Sequence, residues 1–160
     1  MKLIVPKRAL TISAIGFIAA GASAGAADAG RAYYPAAGPD PKTPPPYSSG
    51  IMVDGTYYVA GTLGVDPATG KVPSDPEAEA RFVLDAVKQT LARGGLTMED
   101  LVSVTVYCTD LDLYDKFNAV YRSYFREHFP TRAFIGAAKL VRGAHFEIAA
   151  IAVAPQAPKK

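Results

Sequence analysis

The chain has 160 residues, 49% of them hydrophobic and 20% charged, which fits one packed domain and excludes a disordered protein. Its formal net charge is +2, but residues 1–26 hold three basic residues and no acid, so removing them leaves −1. A body this close to neutral excludes the basic surface of a nucleic-acid-binding or membrane-surface protein, and we predict no nucleic-acid partner.

Residues 1–26 predict a secretory signal peptide. Basic residues precede the apolar run 9–20, and the small residues at 22–26 offer an A-x-A cleavage site. The run is shorter than the ~20 residues of a membrane-spanning helix. An uncleaved N-terminal anchor is the alternative interpretation. We expect a periplasmic or secreted body that has no membrane contact after processing.

Three further segments follow from composition. Residues 27–42, rich in Ala, Gly and Pro, are expected to be a flexible linker, followed by a folded domain at 43–155 and a disordered tail at 156–160. Cys108, the only cysteine, allows no internal disulfide. The two histidines are too few and too far apart to predict a metal site, and no cofactor is expected.

A β-hairpin is predicted at the start of the domain. Asp54-Gly55 is a two-residue type I′ turn signal between strands at 48–53 and 56–60. A second turn is predicted at 66–70, where a proline presets φ and a glycine permits a positive φ.

The clearest helix prediction comes next. Ser74 or Asp75 can cap its N-terminus, acidic residues favour the positive end of the helix dipole, and Gly94-Gly95 ends it. The predicted buried stripe repeats at helical spacing and contains Val83, Ala86, Val87, Thr90 and Leu91.

A strand and a second helix are predicted after it. Residues 101–108 alternate, and the buried face of this strand should contain Val102, Val104, Val106 and Cys108. That position favours packing over a nucleophilic role for the thiol. Asp110 or Asp112 can cap a helix whose apolar residues run from Leu113 to Phe125, and Phe129-Pro130 stops it.

The last stretch, 129–154, predicts two strands joined by a basic, glycine-containing turn. The order β-β-α-β-α-β-β has too few helices for a doubly wound sheet, so we expect an α+β fold with two helices on one face of a mixed sheet. The face of the sheet that the helices leave uncovered is most simply buried by self-association of the protein. Arg132 lies at the start of the first of these strands. A guanidinium beside an apolar β-sheet core needs an anionic partner.

Six segments, in this order, resemble the RidA (YjgF) family: Pro46-Tyr47, the hairpin through Tyr57–Gly61, the turn Asp66–Gly70, Phe117–Tyr121, Phe129–Ala133 and Glu147–Val153. Together they span residues 44–154. The resemblance implies a chorismate-mutase-like α+β fold and a homotrimer with a central barrel and ligand clefts between subunits. It also implies hydrolytic deamination of reactive imines and enamines such as 2-aminoacrylate.

The resemblance assigns site residues by position. Arg132 matches an arginine that binds the substrate carboxylate, which suits a bidentate guanidinium. Tyr47 matches a tyrosine from the neighbouring subunit, and Asn118 matches a cleft asparagine. The other cleft positions are Ala60, Gly61 and Phe134, the last standing where many members have cysteine.

Four positions depart from the family pattern. The glutamate that positions water falls at Ala149, and a methyl group cannot polarise water. Ala60 replaces a serine, Thr62 a glutamine and Val141 a proline. Glu147 is the candidate substitute, because in a strand it shares the face of Ala149 about 6.5–7 Å away. The alternative is that Glu147 pairs with a lysine or arginine at a subunit contact.

Three functions stay open. The first is a deaminase of the 2-iminobutanoate/2-iminopropanoate type, weakened or altered in substrate, with Arg132 and Glu147 as catalytic residues. The second is a trimer that binds a small carboxylate without chemistry, and the third a holdase-like scaffold. The missing glutamate favours binding without chemistry. Export favours it too, because the pyridoxal-phosphate enzymes that release 2-aminoacrylate are expected in the cytoplasm.

Overall fold

In the computed structural model, residues 30–38 and 40–155 are described. The predicted signal peptide and the tail at 156–160 lie outside them, so both stay predictions. The secondary-structure elements are β1 (Arg31–Pro35), β2 (Ser48–Val53), β3 (Thr56–Leu63), α1 (Pro76–Arg93), β4 (Leu101–Cys108), α2 (Tyr114–Arg122), β5 (Thr131–Gly136) and β6 (Phe146–Val153). Within these residues no helix combines the length and apolar character that crossing a membrane requires.

The six strands form one sheet in the order β1-β2-β3-β6-β4-β5. Neighbouring strands are antiparallel except β4 and β5, which run parallel. Helix α1 packs against β3, β6 and α2, so both helices cover the same face of the sheet. The buried core lies between the helices and that face. The predicted α+β class, with a mixed sheet and two helices, is confirmed.

Residues 31–35 correct the predicted linker. They form the edge strand β1, which pairs antiparallel with β2. The Ser49 hydroxyl donates to the Tyr34 carbonyl at 3.0 Å, and the Arg93 guanidinium donates to the Pro35 carbonyl at 3.1 Å. Composition alone did not predict β1, because the residues with which it pairs lie elsewhere in the chain. Strand formation depends more on such pairing than on local propensity.

The predicted hairpin is confirmed as β2 and β3. Asp54 and Gly55 have φ values of 47° and 76°, the two positive values that a type I′ turn requires. The turn at 66–70 is also confirmed, since Gly70 has a φ of 68° and its N–H donates to the Asp66 carbonyl at 2.8 Å.

Helix α1 follows its predicted boundaries. The Asp75 carboxylate accepts hydrogen bonds from the N–H groups of Glu77 and Ala78 at 3.3 and 3.1 Å, and Gly94 forms the C-cap. From the predicted stripe, Val83, Val87 and Leu91 are buried, whereas Ala86 and Thr90 lie at its half-buried margin.

Two details of the next elements differ from prediction. Val102 is 45% exposed, because Leu101 and Ser103 pair with adjacent residues of β6 and Val102 bulges out between them. Helix α2 ends at Arg122, so Tyr124 and Phe125 pack against the core from beyond the helix instead of within it.

The last two strands, although consecutive in sequence, are not neighbours. β4 lies between them and pairs in parallel with β5 and antiparallel with β6. β5 is therefore an edge strand, and Arg132 stands at the margin of the sheet while Glu147 stands near its middle.

Candidate functional site

Strand β5 holds Arg132 on the helix-covered face of the sheet. Arg132 and Phe134 lie opposite the buried Val104 and Val106 of β4, and the ring centroid of Phe134 is 5.5 Å from that of Phe117 in α2. Beside Arg132 is a cleft of about 280 Å³, the arginine pocket, lined by Asn118, Tyr121, Arg122, Phe129, Pro130 and Arg132. The structure thus brings Arg132 and Asn118 together.

The guanidinium of Arg132 is surrounded by aromatic rings. Its central carbon lies 4.6 Å from the ring centroid of Tyr121 and 5.7 Å from those of Tyr114 and Phe134. One Nη donates to the Tyr114 hydroxyl at 3.5 Å, the outer limit of a hydrogen bond. Within the described part of the chain, no carboxylate lies within 4 Å of this guanidinium. Aromatic faces hold the cation in place and leave its donors for an external anion.

Tyr121, which lies within the apolar run of the predicted second helix and was not predicted as a site residue, also lines this pocket. Its side chain is 4% exposed, and its hydroxyl has no hydrogen-bond partner among the described residues. Burial raises the pKa of Tyr121 to about 12, although the charge of Arg132 acts in the opposite direction. The phenol is therefore a neutral donor without an acceptor. The sequence could have indicated this position, because Tyr121 follows Asn118 by three residues and therefore lies on the same helix face.

A second cleft, of about 630 Å³, contains the other predicted site residues. We call it the glycine cleft. Tyr47, Ala60, Gly61 and Glu147 line it, together with Thr62 and Val141. Tyr47 is 57% exposed, so its ring is available to a partner molecule.

A β-bulge shapes the floor of the glycine cleft. Ala60 and Gly61 of β3 together oppose the single residue Ala149 of β6. The Glu147 side chain lies over Gly61 so closely that a Cβ on this glycine would overlap Glu147 Oε1. Glu147 and Ala149 share one face of β6, as predicted. In the described structure the Glu147 carboxylate forms no ion pair.

The side chains of Arg132 and Glu147 lie on opposite faces of the sheet. Arg132 faces the helices, whereas Glu147 lies opposite Tyr107 of β4 and points to the face that the helices leave open. Strands β5 and β6 are also two strand spacings apart, ~10 Å. One chain therefore holds two partial sites: Arg132, Asn118 and Phe134 belong to one, and Tyr47, Ala60, Gly61 and Glu147 to the other.

A buried carboxylate that the sequence did not reveal lies on α1. Glu79 is completely buried, and its Oε1 accepts the backbone N–H groups of His145 and Phe146 at 2.7 and 2.8 Å. Its Oε2 lies 2.6 Å from Nδ1 of His145. Its burial could have been predicted from helical spacing, since Glu79, Val83 and Val87 repeat every four residues along the buried stripe. This carboxylate fixes the start of β6, the strand that carries Glu147 and Ala149.

The single thiol belongs to the core. Cys108 is fully buried and donates to the Asp110 carbonyl at 2.9 Å, and burial raises its pKa, which disfavours the thiolate. Among residues 30–38 and 40–155, no group of three or more His, Cys, Asp or Glu is placed to hold a metal ion.

Comparison with known proteins identifies the family. A family model described as Endoribonuclease L-PSP matches residues 38–154. A protein of Bos taurus named 2-iminobutanoate/2-iminopropanoate deaminase is 39% identical over 109 residues, which cover 68% of this chain and 80% of that protein. The crystal structure of the Escherichia coli YjgF gene product matches with a TM-score of 0.65 and 37% identity, over 68% of this chain and 87% of that one.

The chain belongs to the RidA (YjgF) family. A crystal structure of RidA from an Antarctic Psychrobacter also matches, with a TM-score of 0.66 and 30% identity over 76% of this chain and 94% of that one. The resemblance seen in the sequence is confirmed, and imine deamination is supported at the level of the family. The chain has arginine at position 132 and alanine at position 149, the two positions to which the sequence resemblance assigned the carboxylate-binding arginine and the water-positioning glutamate.

Proposed function

We propose that this RidA-family protein hydrolyses small imino carboxylates, and that it does so slowly. The observation that supports the proposal is the Arg132 guanidinium, which lines a small cleft with no carboxylate of the described chain within 4 Å. A cation so placed is suited to bind the carboxylate of a ligand through two parallel hydrogen bonds. This bidentate contact holds the neighbouring imine carbon in one orientation, so that water adds to it in a near-attack geometry.

The reaction balances with water alone. The oxygen of a water molecule forms a bond to the imine carbon, and the imine nitrogen takes a proton. The resulting carbinolamine breaks its carbon–nitrogen bond, which releases ammonia and leaves a 2-keto acid. An enamine such as 2-aminoacrylate enters after a proton moves from nitrogen to carbon. Glu147 is the carboxylate nearest to the Gly61 backbone, and we assign it the positioning of water.

The proposal includes assembly of the two partial sites between subunits. Arg132 and Glu147 face opposite sides of one sheet, so one chain does not bring them to the same ligand. The open face also carries apolar side chains, with Tyr58 49% and Val153 39% exposed. A homotrimer, expected for this family, would cover that face and bring the glycine cleft of one chain to the arginine pocket of the next.

The slow rate follows from Ala149. General acid–base assistance is worth ~10²–10⁴-fold, and a methyl group at this position supplies none. A carboxylate-binding trimer without chemistry is the second candidate, and the same alanine favours it. The holdase-like scaffold is third. We further propose an exported protein, and we do not propose RNA cleavage, because the near-neutral body lacks a basic stripe.

Replacing Arg132 tests the proposal directly. With 2-iminopropanoate generated in situ, pyruvate release above the enzyme-free rate should fall ~10²-fold in Arg132→Ala, because the ligand loses both its charge partner and its orientation. Arg132→Lys should recover only part of the rate, since an ammonium cannot bind bidentately. Sedimentation and thermal melting of each variant check that the assembly persists.

The result for the wild type separates the candidate functions. A rate equal to the enzyme-free control, combined with keto-acid binding that Arg132→Ala abolishes, would establish the binding protein and reject the deaminase. Keto-acid binding that is equal in the wild type and Arg132→Ala would reject both.

A second prediction concerns Glu147. In Gly61→Ala the new methyl should push the Glu147 carboxylate away from the cleft floor, so pyruvate release should fall about tenfold. This is less than the ~10²–10⁴-fold of general acid–base assistance, because the carboxylate is displaced and not removed. Stability should change by less than ~1 kcal/mol, because only the tip of a flexible side chain must move. Gly136→Ala is the matched control, since its Cβ meets nothing closer than Leu111 at 3.4 Å. An unchanged rate in Gly61→Ala would exclude Glu147 from water positioning.

A further inference from the structure

The arginine pocket contains a second guanidinium. Arg122, the last residue of α2, follows Tyr121 directly and lines the same cleft as Arg132. Its guanidinium carbon lies 5.9 Å from the ring centroid of Phe129, another wall of the pocket. The pocket therefore offers two sets of cationic donors.

Neither cation is neutralised by the described chain. No Asp or Glu carboxylate lies within 4 Å of Arg122 or Arg132 in that part of the molecule. Two like charges at one cleft repel each other, and a ligand with one carboxylate neutralises only one of them. The two guanidinium groups together offer more hydrogen-bond donors than one monocarboxylate uses.

We propose that the arginine pocket recognises small dicarboxylates. Arg132 binds the carboxylate next to the reacting carbon, and Arg122 binds a second carboxylate at the far end of the ligand. The substrate class is then the imines of dicarboxylic amino acids, and this assignment rests on the proposed deaminase function. A cleft of about 280 Å³ suits such a ligand, because it falls just below the ~300–1,000 Å³ of pockets that hold drug-sized molecules.

The test compares two keto acids that have the same number of carbons and differ in the terminal group. By calorimetry, the wild type should bind 2-oxoglutarate ~10-fold or more tightly than 2-oxopentanoate, the gain expected for a charge-assisted bidentate contact. In Arg122→Gln this preference should fall to about onefold, while affinity for 2-oxopentanoate stays unchanged. Arg126→Gln is the matched control, because Arg126 lines a different cleft and its loss should leave the preference intact.

The outcomes distinguish this inference from the proposed function. Equal binding of the two acids, lost in Arg132→Ala, overturns the role of Arg122 and leaves the deaminase proposal standing. So does a preference that survives Arg122→Gln or disappears equally in Arg126→Gln. A preference that depends on Arg122, without hydrolysis of any imine, supports the dicarboxylate site and rejects the deaminase. No binding of either acid overturns both.

Discussion

Ala149→Glu should raise the rate of imine hydrolysis by ~10²–10³-fold, within the range that a positioned general acid–base contributes. Position 149 lies on the open face of β6, between Thr105 of β4 and the Ala60–Gly61 bulge of β3. A carboxylate here would be placed on the same face as Glu147, where the proposed water binds. The measurement is pyruvate release from 2-iminopropanoate generated in situ.

Ala149→Gln is the control for this gain. The amide has nearly the same volume as the carboxylate but cannot take up a proton, so its rate should stay close to that of the wild type. Ala149 is only half-buried, so neither change should disturb the core. Equal rates in wild type, Ala149→Glu and Ala149→Gln would mean that the alanine at position 149 does not limit the rate, and the proposal of slow hydrolysis would lose its physical reason.

Glu79→Ala should lower the free energy of unfolding by ~3–5 kcal/mol, the cost of breaking a buried charged network. The change leaves the N–H groups of His145 and Phe146 without an acceptor, and each unsatisfied buried donor costs ~1–3 kcal/mol. It also leaves a void beneath the start of β6. Urea denaturation followed by circular dichroism measures the loss.

Two further variants show where the loss originates. Glu79→Gln keeps an amide oxygen for the two N–H groups and should cost only ~1 kcal/mol. Glu77→Ala removes an exposed acid from the same first turn and should cost at most ~1 kcal/mol, since a helix-dipole charge usually contributes ~0.3–1 kcal/mol. A Glu79→Ala variant as stable as Glu77→Ala would contradict the structural role of the buried carboxylate.

The elements that the sequence predicts correctly are those whose deciding interactions are local. The Asp54-Gly55 turn, the Asp75 cap and the stop at Gly94 each depend on residues a few positions apart, and all three were found. β1 was missed because its partners lie beyond a proline-rich segment. The outward turn of Val102 was missed because a bulge is a property of two paired strands.

The candidate site divides in the same way. That Glu147 and Ala149 share a face follows from strand alternation alone, and this prediction is confirmed. That Arg132 lies on the opposite face depends on β4 inserting between β5 and β6, which no local pattern contains. The Glu79 stripe could have been recognised from its spacing, but its acceptor role depends on a backbone 66 residues away.

The opposite orientation of the two partial sites has an evolutionary consequence. Changes at the Ala60–Gly61 bulge or at position 149 alter the open face and leave the aromatic packing around Arg132 intact. Under the proposed roles, ligand recognition and hydrolytic chemistry can therefore be lost or regained separately, by single substitutions. A lineage could then move between enzyme and binding protein without rebuilding the packing around Arg132.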